Sequence, residues 1–318
     1  MPLPEDVAVL VEDVHKSFDD VHALRGISFS APRGSVLGIL GPNGAGKTTM
    51  VKVLSTLIRP DSGRAVVAGH DVAESAAEVR RSIMMTGQYA ALDDTLSGRE
   101  NIELFGRLMG LDKKAARTRA HALLEEFDLV DTGKRPVRGY SGGMRRRIDI
   151  ACGLVVRPKV VFLDEPTTGL DPESRRNTWR LIEELRASGV TIMLTTHYLD
   201  EAERLCDRLA IMHRGRVVRS GTVADVVAGH PARIRLDLPD VRLPELAGAS
   251  VDIEDGRLVI DTSSLQDTLT ELLLWAQRSG VRIDGLDARA ASLETVFLSI
   301  ADEFDGRNQF ENSKEVAA

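Results

Sequence analysis

Cysteine, a basic surplus, a leading cluster of positive charge and long apolar runs are all scarce or missing in this 318-residue chain. Two cysteines, Cys152 and Cys206, make neither a disulfide framework nor a four-ligand zinc site. Both stand among apolar neighbours, which reads as buried free thiols in a reducing interior. Lys and Arg number 41 against 48 Asp and Glu, a net charge of -7 that argues against generic nucleic-acid binding. No Lys or Arg precedes Lys16, so a secretory n-region is not expected. The most apolar long window, 147–163, still holds Arg147, Asp149, Arg157 and Lys159. Each charge costs about 2.5–3.5 kcal/mol at the centre of a spanning helix, so the chain is not expected to cross a membrane alone.

What remains is ample for a core. Hydrophobic residues make up 43% and charged residues 28%, a globular balance, and the length suits two domains. Residues 5–225 read as an α/β domain. Apolar runs at 35–40, 160–163 and 190–195 lack in/out alternation, as strands buried on both faces of a parallel sheet do. Runs at 7–14, 27–30 and 64–68 suggest a smaller antiparallel sheet. Ser97 with Glu100 is a capping box, and 97–138 reads as a helical lobe inserted into the domain. Asp171-Pro172 starts a helix with Trp179, Ile182 and Leu185 on one face, ended by Gly189. Residues 232–303 alternate differently. Strands at 233–238 and 251–260 (turning at Asp255-Gly256), a short helix at 243–247, a helix at 265–277 and a strand at 281–286 suggest a small α+β lobe of split-βαβ type. The polar tail, 304–318, is expected to be disordered.

Chemistry is concentrated in the first domain. Gly41-Pro42-Asn43-Gly44-Ala45-Gly46-Lys47-Thr48 fits the phosphate-loop pattern, between an apolar strand and a helical run at 48–57. Glycines there let successive N–H groups face phosphate oxygens, and the following helix points its positive end at them. Lys47 is placed to reach the β- and γ-phosphates and Thr48 to ligate magnesium. The run 160–163 delivers Asp164 and Glu165 to the C-terminal end of a strand, where open α/β sheets bind ligands. Asp164 suits the metal shell, and Glu165 suits general-base work on a water. Ser141-Gly142-Gly143 opens another helical run and makes a second anion site, which a single nucleotide hardly needs from the same subunit.

Together these elements resemble an ATP-binding-cassette (ABC) ATPase, over about residues 5–222. The resemblance implies an α/β P-loop NTPase fold with a mixed, largely parallel sheet core, an antiparallel β subdomain and an inserted helical lobe. It implies ATP and Mg2+, with Thr49 joining the loop residues at the nucleotide. Phe18 occupies the adenine-stacking position, although a core Phe near a strand end reads as well. Gln88 matches the glutamine that senses magnesium and the attacking water, His197 matches the γ-phosphate switch, and Asp171 matches the link across a dimer while also reading as a helix cap. Ser141, Gly142 and Gly143 would close on the γ-phosphate held by a second copy. Tyr140-Ser141-Gly142-Gly143-Met144-Arg145-Arg146-Arg147, Gly87-Gln88-Tyr89-Ala90-Ala91, Thr167-Thr168-Gly169-Leu170-Asp171-Pro172 and Ser292-Leu293-Glu294-Thr295-Val296-Phe297-Leu298 are similar to the daunorubicin/doxorubicin-resistance ATP-binding subfamily. That implies an exporter subunit at the cytoplasmic side of the membrane, held there by a separate permease.

Other readings stay open at this stage. They are a soluble cassette ATPase for cluster assembly or for work on DNA or ribosomes, an ATPase for lipid or polysaccharide export, and a nucleotide sensor without turnover. The run Arg145–Arg147 reads as a solvated helix face. Tyr89, Ala90, Ala91 and Leu92 are candidates for the permease contact, or else lobe core. Leu293, Val296, Phe297 and Ile300 share a helix face that needs burial, within the lobe or against a partner.

Overall fold

The computed structural model describes residues 6–87, 92–237, 243–254, 256–297 and 299–300. They fall into two compact units, divided between Thr222 and Val223. The first opens with two long strands, β1 (Val7–Phe18) and β2 (Val21–Pro32). It continues through β3 (Val36–Leu40), α1 (Lys47–Leu54), β4 (Ser62–Val67), β5 (His70–Asp71), α2 (Ala76–Ser82) and β6 (Ile83–Thr86). Next come α3 (Gly98–Leu108) and α4 (Lys113–Glu126), then α5 (Gly142–Gly153), β7 (Val160–Asp164), α6 (Pro172–Ala187) and β8 (Thr191–Thr196). The unit ends with α7 (Leu199–Leu205), β9 (Arg208–His213) and β10 (Arg216–Thr222).

Two sheets form. The outer one is antiparallel, in the order β2-β1-β4-β5. The inner one runs β10-β9-β3-β8-β7-β6, parallel from β9 to β6 with β10 antiparallel at one edge. Every residue of β3, β7 and β8 is buried, which explains why these strands carry no alternation. Phe162, Ile39 and Met193 lie in one cluster with Val9, Ile27, Met50 and Met212, so the two sheets and α1 share a core. Burial of each such side chain stabilises the fold by about 1.5–3 kcal/mol.

The helix starts follow their sequence signals. Ser97 and Glu100 make both hydrogen bonds of a capping box on α3. Asp171 caps α6 ahead of Pro172, with Trp179, Ile182 and Leu185 buried along one face. One expectation for the first unit fails. The run Arg145–Arg147 is no solvated face: Arg145 pairs with Asp94 at 2.8 Å, Arg147 donates to the Phe127 carbonyl, and Arg146 is buried beside Asp149. A helix of 12 residues packed between a lobe and a sheet leaves no free side for three long cations.

The second unit holds α8 (Val223–Val227), β11 (Ala232–Asp237), β12 (Ala249–Glu254), β13 (Arg257–Thr262), α9 (Leu265–Ser279) and β14 (Asp284–Arg289). Its sheet runs β12-β13-β11-β14, antiparallel throughout, with Leu272 of α9 in the same cluster as Ile234, Leu236 and Ile260. Glu254 faces Arg257 across the turn; Asp255 lies outside the described residues. The helix expected at 243–247 does not form. Leu243 and Leu246 both pack into the core from a non-helical stretch that ends at Gly248 with φ +69°. So short a helix, carrying Pro244, has too few internal bonds to hold itself. The last strand starts at Asp284 rather than 281, because Gly280 adopts the left-handed conformation and Val281 N–H closes the end of α9 on the Ala276 carbonyl. Leu293, Val296 and Ile300 are buried and Phe297 is half-buried. Leu298 and the tail 304–318 lie outside the described residues.

Gly63 shows how tightly the outer sheet is built. Its φ is +83°, and an added Cβ would meet the Asp13 carbonyl oxygen at 2.1 Å. Gly189 has a similar φ, +86°, and open space around it. Gly63→Ala should therefore lower unfolding free energy by about 2–4 kcal/mol and Gly189→Ala by only about 1, measured by denaturant titration. Equal losses would show that the Asp13 contact relaxes freely.

Candidate active site

The parallel register brings the chemistry to one end of the inner sheet. Leu40 lies beside Thr196, and Asp164 beside Thr195. The chain therefore leaves β3 at Gly41, β7 at Glu165 and β8 at His197 side by side. Between β3 and α1 the loop turns through Gly44 (φ +79°) and Gly46 (φ +103°). A Cβ on Gly41 would meet the Met212 carbonyl at 2.3 Å, and one on Gly46 the Ala23 carbonyl at 2.6 Å, so only glycine closes this loop. A Cβ on Gly44 would meet nothing within 4 Å. The first turn of α1 contains no acidic residue, which leaves its positive end free for an anion.

A cavity of about 590 Å³ opens over this loop. It is lined by Pro42, Asn43, Gly44, Ala45, Gly46, Lys47, Thr48 and Thr49, with Glu165, and by Val21 to Ala23, Arg25, Arg214 and Gly215. Gly41 is buried beneath it. Lys47 is only 5% exposed. Its ammonium donates to the carbonyls of Gly41 (2.7 Å) and Pro42 (3.3 Å) and stands 3.7 Å from Glu165 Oε1. Burial pulls the Lys47 pKa down, and the charges of Glu165 and Asp164 partly restore it.

Glu165 is the most constrained residue of the site. Its φ is +48°, a left-handed conformation that carries strain for any side chain. Its N–H donates to both the carbonyl and the hydroxyl of Thr195, and Thr168 Oγ1 donates to its Oε2. Oε1 lies 3.3 Å from His197 Nδ1, so one oxygen faces both the histidine and Lys47. The His197 ring rests against Tyr198, 4.1 Å between centroids. Asp164 is buried and accepts a hydrogen bond from Thr195 Oγ1. Thr195 thus serves both acids, a role that sequence reading missed; its place two residues before His197 in an apolar strand was the available signal.

The other sequence candidates lie apart. Ser141 caps α5 and accepts from Met144 N–H; neither it nor Gly142 nor Gly143 lines the cavity. A Cβ on Gly143 would meet Ser174 Oγ at 2.4 Å, so this turn sits directly on the start of α6. There Asp171 accepts from Glu173 N–H, Ser174 N–H and Ser174 Oγ, and the Ser174 hydroxyl leads the causes that lower its pKa. Tyr140, just before, is buried with its hydroxyl on the Thr132 carbonyl. Phe18 is 45% exposed at the end of β1, with Lys16 over its ring at 5.5 Å; it pairs in register with Val21, which lines the cavity. Gln88, Tyr89, Ala90 and Ala91 lie outside the described residues. Among the described residues no group of three or more His, Cys, Asp or Glu side chains is placed to hold a metal ion.

Comparison with known proteins shows the family. Residues 24–168 match the ABC transporter family, and 232–292 match a C-terminal domain described as that of ABC transporter domain-containing proteins. The daunorubicin resistance ATP-binding protein DrrA3 of Streptomyces coeruleorubidus is 45% identical over 304 residues, 93% of this chain and 96% of that one. The doxorubicin resistance ATP-binding protein DrrA of Mycobacterium tuberculosis is 46% identical over 313 residues, 93% and 94% of the two chains. This chain belongs to the ABC ATP-binding proteins. Within them it falls with the daunorubicin/doxorubicin-resistance group. Among solved structures, the ABC subunit cbiO1 of Clostridium perfringens is similar, with a TM-score of 0.66 and 32% identity over 71% of this chain and 92% of that one. The fold is accordingly that of an ABC ATPase.

Removing the Thr195 hydroxyl isolates its double service. Thr195→Val strips the donor from buried Asp164 and should lower stability by about 1–3 kcal/mol. Thr195→Ser should recover most of that loss in the same denaturant titration. A Val variant as stable as the parent would show that Asp164 finds another donor.

Proposed function

We propose that this ABC ATPase is the energising subunit of a drug exporter, working at the cytoplasmic side of the membrane with a separate permease. Two copies would close head to tail over ATP. Each would give Lys47, Glu165 and His197 to one site and Ser141, Gly142 and Gly143 to the other. The observation that carries this reading is the separation just described: the Ser-Gly-Gly turn, a second anion-binding helix start, lies off the Lys47 cavity. A single chain therefore offers half of each site. Asp171, at the foot of the same turn, is placed to link the two halves. The named relatives supply the cargo class, drugs such as daunorubicin and doxorubicin.

The residues account for binding and for the proton. The N–H groups of the loop, ending at Thr48 and Thr49, would hold the phosphates. Phe18, exposed beside Val21, would stack on the adenine. Lys47 would leave the Gly41 and Pro42 carbonyls for the β- and γ-phosphates. That movement takes the ammonium away from Glu165 Oε1 and leaves this oxygen to His197 and the attacking water. Glu165 would then accept the water's proton, a contribution typically worth 10²–10⁴-fold. His197, 3.3 Å away, would hold Glu165 and sense the γ-phosphate. The Thr48 hydroxyl and the Asp164 carboxylate are hard oxygen donors that suit Mg2+, which binds few protein ligands and shares substrate phosphates; Gln88 is assigned to the same shell. When bound, magnesium neutralises charge developing on the phosphates.

Two variants test the reading. Lys47→Ala should abolish ATP turnover by the purified protein; turnover equal to the parent would remove the enzyme assignment. Glu165→Gln keeps the shape and removes the base. It should bind MgATP, lose turnover by at least about a hundredfold and sediment as a persistent dimer. Monomer alone at saturating MgATP would contradict the head-to-tail arrangement.

A further inference from the structure

Arg146 divides from its two neighbours. Arg145 and Arg147 reach Asp94 and the Phe127 carbonyl, whereas Arg146 is buried, 8% exposed. Its Nη1 donates to the Gly87 carbonyl at 3.0 Å and to Asp149 Oδ2 at 3.3 Å. Gly87 follows β6 and is the residue from which the chain passes to Gln88. Helix α5, which carries Arg146, opens on Ser141-Gly142-Gly143. One side chain therefore ties the helix of the Ser-Gly-Gly turn to the strand end that leads into the glutamine segment.

For stability alone this is a poor choice. A buried ion pair contributes no more than an apolar pair of similar volume, and often less. Arg146 Nε and Nη2 are buried and meet no acceptor among the described residues, and Glu201 Oε2, equally buried, meets no donor among them. Burial lowers the Arg146 pKa, against the pull of Asp149, Glu201 and Asp164. Those acids sit on α5, on α7 just past His197, and at the end of β7. Glu201 also accepts from Thr167 and Trp179, at 2.8 and 2.9 Å, which extends the polar network to α6. The guanidinium thus lies where the segments carrying the site residues meet beneath the sheet's working end.

We propose that Arg146 is a positioning residue for ATP turnover: through the Gly87 carbonyl it fixes the origin of the Gln88 segment to the helix of the Ser-Gly-Gly turn. This rests on the ATPase reading above. The test uses the full chain with three paired readouts: turnover, affinity for a fluorescent ATP analogue, and amide exchange by mass spectrometry. Arg146→Met with Asp149→Leu removes the tie together with the carboxylate that Arg146 pairs with. It should bind nucleotide as the parent does, lose kcat by about ten- to a hundredfold, and exchange faster at 87–92 alone. Arg146→Gln with Asp149→Leu restores an N–H donor for the Gly87 carbonyl and should recover most of the lost kcat. Arg146→Lys, which keeps the charge but cannot span both acceptors, covers the case in which the Met-Leu pair does not fold; it too should lose kcat with unchanged affinity. Parental kcat in the Met-Leu or Lys variants, no recovery with Gln, or faster exchange spread over the whole first unit would overturn the proposal. Failure of the ATPase reading is separate, because it shows as retained turnover in Lys47→Ala.

Discussion

The register of three parallel strands governs everything at the working end of the inner sheet. β3, β7 and β8 are aligned so that their last residues, Leu40, Asp164 and Thr196, stop within one step of each other. A shift of one residue in any strand would turn its side chains to the opposite face and carry Gly41, Glu165 or His197 out of reach of the others. That alignment is secured by burial on both faces rather than by any group in the site. The chemistry therefore inherits its precision from side chains such as Phe162, Ile39 and Met193, none of which touches the cavity.

Within that frame one carboxylate oxygen is shared between an ammonium and an imidazole. Glu165 Oε1 faces Lys47 and His197, and its backbone is held left-handed by two hydrogen bonds to Thr195. The strained backbone aims the side chain, and the neighbouring strand supplies the restraint. Such a carboxylate stays between its partners until something draws one of them away. In the proposed mechanism phosphate competes for Lys47, and a single displacement would couple binding to readiness for chemistry.

Local signals in the sequence carried far. The phosphate loop, the two-sided apolar runs, the capping box at Ser97 and the Asp171-Pro172 start each depend on residues within a few positions of one another, and each is legible for that reason. Three things were not legible. Arg146 reads like its neighbours in sequence; its acceptor, the Gly87 carbonyl, lies 59 residues away along the chain and is brought close by the packing of α5 on β6. Thr195 serves acids on a different strand. The stretch 243–247 has a helical spacing of Leu residues, yet both leucines reach the lobe's core without a helix, and Pro244 with Gly248 favours that path. Where partners lie far apart along the chain, composition and spacing say nothing about which polar side chain goes inside.

The two cysteines have a practical consequence. Cys152 and Cys206 are 1% and 8% exposed, and burial pushes both thiols well above their ordinary pKa. Alkylating reagents attack the thiolate, so at neutral pH both sulfurs are shielded twice, by access and by protonation. A spectroscopic label directed at one new surface cysteine would thus find a silent background in the unaltered chain. Distances between the two copies of the proposed dimer could then be followed through a turnover cycle without first stripping the natural thiols from the core.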